Sequence, residues 1–330
     1  VKCLVTGGGG FLGLAIVRSL RARGDQVISY SRSRHELVDR LGGICVEGDV
    51  TDTARLADAM RDTDVVFHVA AKAGVSGPRH EYERVNVLGT IAVVAAAVKA
   101  GVPRLVHTSS PSVCFDGEDH LDATNDLPYP VRFLAHYPRT KMLAEKHVLS
   151  WNGRGIATVS LRPHLLVGPG DPHLMPRIAE RARAGKLRVV GDGRNRVSLT
   201  DIDNAAWAHL DAADRLEVGA AHAGSAYFIA QVESVPMWPW ISDVLLRAGI
   251  PGPKGRVPLG VARLLGVGCE AWWSLTERAG EPPMTRFIAL QLARSHTYDL
   301  GPAQRDFGYV QRVSNALMTE RAAASIAAAR

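Results

Sequence analysis

Cysteine is scarce in this chain of 330 residues: Cys3, Cys45, Cys114 and Cys269 stand far apart, with no CxxC pair and no metal-like spacing. A secreted disulfide framework or a zinc module shows closer, patterned cysteines, so a reduced, cytoplasmic protein without a bound metal is expected. Long apolar runs are missing as well, and no stretch reaches the roughly 20 residues that a transmembrane helix needs. The most apolar segment, "LGVARLLGVGCEAWWSL" at 259–275, leaves two readings open: a helix packed over a ligand pocket, or peripheral contact with a membrane surface. The opening "VKCLV" runs straight into glycines, which leaves no room for a secretion signal. Basic blocks and interleaved aromatic stacking motifs are also lacking. Although the net charge is +6, the cations are scattered, which suits an anionic small ligand and argues against nucleic acid as a partner.

What the chain does have is globular composition, 46% hydrophobic and 22% charged, enough for one large domain or two modest ones. No internal repeat is visible. Short β-rich runs, "QVISYS", "ICVEGDV", "DVVFHVAA", "RLVHTSS" and "ATVSLRP", alternate with helical segments such as "DTARLADAM" and "VNVLGTIAVVAAAVKAG". Strands that are apolar on both faces and separated by helices predict an α/β fold with a doubly wound parallel (Rossmann) sheet, followed by a smaller C-terminal α/β substrate lobe. The expected division is a dinucleotide-binding domain over 1–168, with contributions from about 195–231, and a lobe made of 169–194 and 232–330.

The first turn names the ligand. "TGGGGFLG" places Gly7, Gly10 and Gly13 after a strand, with Phe11 and Leu12 opening a helix. Glycine there permits the tight turn, the approach of a pyrophosphate and close helix packing, while the helix N-terminus attracts the anion. At the end of the second strand an NAD site carries Asp or Glu for the ribose 2′-hydroxyl; this chain has Ser31 and Arg32, with Arg34 nearby. Arginine neutralises a 2′-phosphate, so NADP(H) is expected. Asp49 and Val50, after the third strand, fall at the adenine edge.

"AHYPRTKMLAEKHVL" sets Tyr137 and Lys141 four residues apart, on one face of a helix whose first turn tolerates Pro138. A phenol with a pKa of about 10 transfers protons poorly at neutral pH unless a cation favours phenolate. Lys141 supplies that cation, "HTSSPSVCF" supplies hydroxyls at the end of the fifth strand, and Asn86 of "NVLGT" offers an anchor for a proton-relay water.

Together "TGGGGFLG", "GDV", "HVAAKAG", "NVLGT", "TSSPSV", "YPRTK" and "LRPHLLVGPGD" resemble an extended short-chain dehydrogenase/reductase over roughly residues 1–210, in its 3β-hydroxysteroid dehydrogenase-like branch. "DNAAWAH", "GEPPMTRF" and "QRDFGYVQRVS" extend the resemblance nearly to the C-terminus, toward the group of bacterial β-keto acid reductases that serve long-chain olefin synthesis. The resemblance implies NADPH-dependent reduction of a long-chain 2-alkyl-3-oxo acid to the 3-hydroxy acid. It also implies Ser110 as the catalytic serine, Tyr137 as general acid and Lys141 as its partner. Cofactor contacts are implied at Ala70, Ala71, Lys72, Pro163 and His164. A homodimer built on the helix carrying Ala92, Ala95 and Ala96 and on that starting near Tyr137 is implied, as is work beside a β-lactone synthetase and a β-lactone decarboxylase.

Three alternatives stay open. Arg196, at its spacing before Asp203, matches an arginine that sugar-nucleotide epimerases use on a diphosphate, although "SPS" at 110–112 lacks the acidic pair of a dehydratase. A hydroxysteroid dehydrogenase or a non-catalytic dinucleotide-sensing scaffold would keep the same fold. Trp238, Trp240, Trp272, Trp273 and Phe287 suit a long acyl chain better than a sugar, with ordinary core packing as the competing explanation. Region 236–287 is accordingly expected to cover the substrate as a lid.

Overall fold

Parallel strands cannot be joined by tight turns, so each crossover here carries a helix across one face of the sheet. The computed structural model describes residues 1–276 and 280–328. Its chain starts with β1 (Lys2–Thr6), α1 (Phe11–Ala22), β2 (Gln26–Ser31), α2 (Glu36–Arg40), β3 (Ile44–Glu47), α3 (Thr53–Ala59) and β4 (Val65–His68). One continuous helical stretch follows: α4 (Arg79–Tyr82), a π-helical turn at Glu83–Leu88, and α5 (Gly89–Lys99). Then come β5 (Arg104–Thr108), β6 (His120–Ala123), α6 (His136–Ser150) and β7 (Ala157–Pro163).

Seven strands lie in the order Ala226–Ile229, β7, β5, β4, β1, β2, β3, every neighbour parallel. Leu4, Val5, Val66, Phe67, Leu105 and Val106 are wholly buried, as expected of strands covered on both faces. Strand order reverses between β1 and β4, so the ligand crevice of such a sheet opens beyond Thr6 and His68.

A second sheet joins Val235–Pro236, Arg196–Val197, His296–Tyr298 and β6. Around it pack the helices Leu174–Arg183, Met237–Arg247, Leu259–Thr276, Arg286–Ala293 and Asn315–Ala328. Two strands of this sheet, β6 and Arg196–Val197, come from stretches that the sequence assigned to the dinucleotide domain, so the lobe is stitched from more of the chain than its C-terminal end.

Trp238 and Trp240 are core residues of the lobe, their indole N–H groups donating to the Leu292 carbonyl and the Thr319 hydroxyl. Helix Leu259–Thr276 belongs to the region expected to cover the substrate as a lid. It buries only Ala262 and Gly266, and Gly266 lies so close to the backbone of Thr285 and Arg286 that an added Cβ would stand 2.6 Å from the Arg286 nitrogen. Its opposite stripe, Val261, Leu264, Leu265, Trp272 and Leu275, faces outward; Leu264 is 72% exposed, Trp272 55% and Leu275 82%. Among the described residues no helix is long and apolar enough to cross a membrane.

Candidate active site

The glycine loop closes because Gly7 adopts φ +70°, a conformation that L side chains rarely adopt. It abuts Ala70 at the end of β4, where an added Cβ would come within 3.0 Å of the Ala70 Cα. Gly13 permits the close approach of α1, since a Cβ there would stand 2.1 Å from the Gly7 carbonyl oxygen. Gly10 caps α1 without a side-chain hydrogen bond, and no acidic residue occupies the first turn. The first amides of the helix, from Phe11, Leu12 and Gly13, therefore form a cradle with the chemistry of an anion site.

At the end of β2, Ser31 bonds the Ser33 carbonyl at 3.0 Å, and Arg32 is exposed and makes no ion pair with any described residue. Arg34 is exposed too, and its guanidinium pairs with Asp39 at 2.7 Å. The His35 imidazole, which the sequence reading passed over, covers the loop so closely that a Cβ on Gly9 would lie 2.1 Å from its ring. Asp49 pairs with Arg84 at 2.9 Å and accepts from Thr51; Arg84 first and Thr51 second hold its carboxyl down at about 2. Val50 packs against Gly89 at the start of α5.

Ser110 and Tyr137 meet at the carboxyl end of β5. Ser110 caps a 3-10 turn, Pro111–Cys114, with its hydroxyl 2.9 Å from that of Ser112. Tyr137 is the second residue of α6, and Pro138 sits in the first turn as the sequence allows. Burial raises the phenol pKa, and a hydrogen bond with Ser110 opposes part of the rise. Lys141, one turn on, is 2% exposed. Its Nζ donates to the Thr108 carbonyl at 2.6 Å and lies 3.1 Å from Nε2 of His107. Burial pushes the ammonium down to about 8, with Glu145 pulling the other way. The cation thus stands on the floor of the site rather than on the phenol.

Asn86 is buried at the π-helical turn, with both amide hydrogens and the amide oxygen engaged. Oδ1 accepts from the Lys72 N–H at 2.7 Å, while Nδ2 donates to the Lys72 carbonyl at 3.1 Å and to Thr140 at 3.0 Å. Its own carbonyl accepts from Thr90 at 2.7 Å. Asn86 thereby clamps the loop after β4 to α6, and each of its two oxygens keeps a second lone pair with which to hold the relay water expected there. Lys72 pairs with Glu81 at 2.6 Å. Pro163 ends β7 beneath the site, whereas His164 turns away: Nδ1 is 2.6 Å from the Ser198 carbonyl, the ring contacts His296 and Tyr298, and burial holds it near 4.

Beside Ser110 and Tyr137 lies a small apolar cluster of Phe115, Phe287 and Leu290, with Val75, Leu134, Ala135 and Leu259 packed on it. Phe287 alone of the aromatic set picked from sequence belongs to it. Glu281 joins the lobe to this corner, accepting from the Val75 N–H at 3.1 Å and pairing with Arg177. Arg196 is tied to Ser234 at the surface, through its carbonyl at 2.6 Å and its hydroxyl at 3.2 Å. Sequence reading also missed Glu145 and Arg162, a buried pair with N···O distances of 2.7 and 2.9 Å; the spacing of Lys141 and Glu145, one helical turn, was the available signal.

Residues 4–258 match the 3-beta hydroxysteroid dehydrogenase/isomerase family. A 2-alkyl-3-oxoalkanoate reductase of Stenotrophomonas maltophilia (strain K279a) is 46% identical over 316 residues, covering 95% of this chain and 96% of that one. A second protein of that description, from Shewanella oneidensis, is 42% identical over 94% of this chain and 82% of its own. The UDP-glucuronic acid 4-epimerase of Bacillus cereus, solved in complex with NAD, superposes with a TM-score of 0.74 at 20% identity over 99% and 98% of the two chains, a likeness of fold. With its glycine cradle, hydroxyl pair and buried lysine on this scaffold, the chain is an extended short-chain oxidoreductase and belongs to the 3-beta hydroxysteroid dehydrogenase/isomerase family.

Proposed function

We propose that this chain reduces the ketone of a long-chain 2-alkyl-3-oxo acid to the 2-alkyl-3-hydroxy acid with NADPH, a step of olefinic hydrocarbon synthesis. The observation that carries the reading is the meeting of Ser110 and Tyr137 beside an apolar corner of Phe115, Phe287 and Leu290. The 42–46% identity to reductases of such acids supports it.

The cradle fits a dinucleotide. Gly7, Gly10, Phe11, Leu12 and Gly13 hold its pyrophosphate; Ser31 and Arg32 hold the 2′-phosphate; Asp49 and Val50 meet the adenine; Ala70, Ala71, Lys72, Lys141 and Pro163 line the nicotinamide half. When bound, the cofactor supplies hydride to the ketone carbon. Ser110 and Tyr137 hydrogen-bond the ketone oxygen, and Tyr137 releases its proton as alkoxide character develops. Burial keeps that phenol protonated at neutral pH, the state a donor needs. Lys141 keeps positive charge beneath it, and Asn86 positions the loop. The test is NADPH consumption with 2-alkyl-3-oxo acids and steroids, with UDP-sugars in parallel followed by product analysis, because epimerisation consumes no net NADPH; conversion of only the sugars favours the epimerase alternative, for which the Arg196–Ser234 contact leaves little support.

Helix Leu259–Thr276 takes a second role in this reading, contact with an anionic membrane surface where long-chain acids partition. The outward stripe is apolar, and Lys254, Arg256 and Arg263 around it are exposed and form no ion pair with described residues. A homodimer through α5 and α6 is part of the proposal, with one revision. Ala92 and Ala96 are buried in the chain's own core with Leu56 and Ala57 of α3 and Met60 just after it, which leaves half-buried Ala95 with exposed Leu88 and Ile91 on the outward side. A β-lactone synthetase and a β-lactone decarboxylase are the enzymes beside which it works.

A further inference from the structure

Strand register sets four polar residues side by side across the middle of the main sheet: Thr6 on β1 opposite His68 on β4, His68 opposite His107 on β5, and His107 opposite Ser160 on β7. All are buried, with no residue of the row more than 1% exposed. Each is hydrogen-bonded. His68 Nδ1 is 2.8 Å from Thr6 Oγ1, and its Nε2 is 2.8 Å from Thr90 Oγ1; His107 Nδ1 is 3.0 Å from Ser160 Oγ. The two imidazoles stack at 5.6 Å. Interior positions of parallel strands normally carry Val, Ile or Leu, so this row calls for an explanation beyond packing. Lys141 meets the row at His107.

We infer that His107 is a positioning residue that presents the Lys141 ammonium to the active site by accepting one of its three hydrogens at Nε2, with Ser160 fixing the tautomer that leaves Nε2 unprotonated. Thr108 takes the second hydrogen through its carbonyl at 2.6 Å, and its own hydroxyl is held 2.8 Å from His209. The third hydrogen is left for the site above. Burial, and then Lys141 itself, hold His107 far below the usual imidazole range, which favours the neutral, accepting form. The other groups around the ammonium are Tyr137 and Glu145 on its own helix, His68 behind His107 on β4, and His209 behind Thr108; Arg162 on β7 is locked to Glu145.

The inference rests on Lys141 and Tyr137 acting as read above, and its test separates the two. The Lys141 side chain is titrated by NMR in carbon-13 lysine-labelled full-length protein, with Lys141→Met assigning the signal. Losing an acceptor favours the neutral amine, so His107→Leu lowers the Lys141 midpoint by about one pH unit, and His107→Gln, whose amide oxygen accepts, restores it. The alkaline limb of kcat for ketone reduction moves with the midpoint in both variants. An unmoved midpoint in His107→Leu, or one that His107→Gln fails to restore, overturns the inference. Should His107→Leu not fold, Ser160→Ala keeps the imidazole while releasing its tautomer, and must shift the midpoint in the same direction or the inference fails. A midpoint that behaves as described in a protein inactive on every 2-alkyl-3-oxo acid counts against the proposed substrate alone.

Discussion

Glu145 and Arg162 are joined by two hydrogen bonds, at 2.7 and 2.9 Å, between α6 and β7, one helical turn from Lys141. Glu145 is wholly buried and Arg162 3% exposed. Burial opposes the Glu145 charge, but Arg162, with Ser109 and Tyr129, holds its carboxyl below the usual range. Glu145→Gln leaves the guanidinium buried without a counter-charge and is expected to cost about 3–5 kcal/mol of stability. Denaturant unfolding of the two proteins checks it; a loss below 1 kcal/mol, on the order of a surface pair, contradicts the assigned role.

Tyr137→Phe keeps the ring and removes the proton donor. Turnover should fall to near background, while NADPH affinity by fluorescence titration stays within a few-fold. Ser110→Ala, which removes one donor to the developing oxyanion, is expected to lower kcat by about 10². Near wild-type turnover in the tyrosine variant is incompatible with the mechanism.

Cofactor choice is assigned to Arg32, exposed and without an ion pair among the described residues, rather than to Arg34, which Asp39 holds. Arg32→Ala should raise KM for NADPH and leave that for NADH nearly unchanged; Arg34→Ala should do much less. Equal changes for both cofactors in the Arg32 variant would mean that it acts as a general surface charge.

Chain-length preference tests where the alkyl chain lies. Each buried methylene contributes about 0.8 kcal/mol, so affinity climbs with length while the apolar corner can cover more chain. Phe287→Ala, which removes the partner packed edge-on to Phe115 at 5.8 Å, should flatten that climb. Trp272→Ala should leave it intact and weaken sedimentation with anionic vesicles. The reverse pattern would return helix Leu259–Thr276 to the substrate.

Much of this was legible because it is local. A glycine run after a strand, a tyrosine four residues before a lysine, and β-rich runs between helices each state their geometry within a dozen residues, and all five strand runs read from sequence are strands of the main sheet. The polar row Thr6, His68, His107 and Ser160 was not legible, because register between strands dozens of residues apart is set by packing and leaves no local pattern. Composition could not sort the tryptophans either: Trp238 and Trp240 fill the core of the lobe while Trp272 faces outward. Nor does a sequence show that Asp39 pairs with Arg34 or that the Lys72 backbone binds Asn86.

The central claim is a β-keto acid reductase, and the direct measurement is NADPH oxidation followed by absorbance with a long-chain 2-alkyl-3-oxo acid, the product identified by mass spectrometry. The account predicts one 2-alkyl-3-hydroxy acid formed per NADPH consumed, with kcat/KM above that for steroid ketones or UDP-sugars. No NADPH consumption with any such acid, by protein that binds NADPH and turns over a steroid or a UDP-sugar, would contradict it.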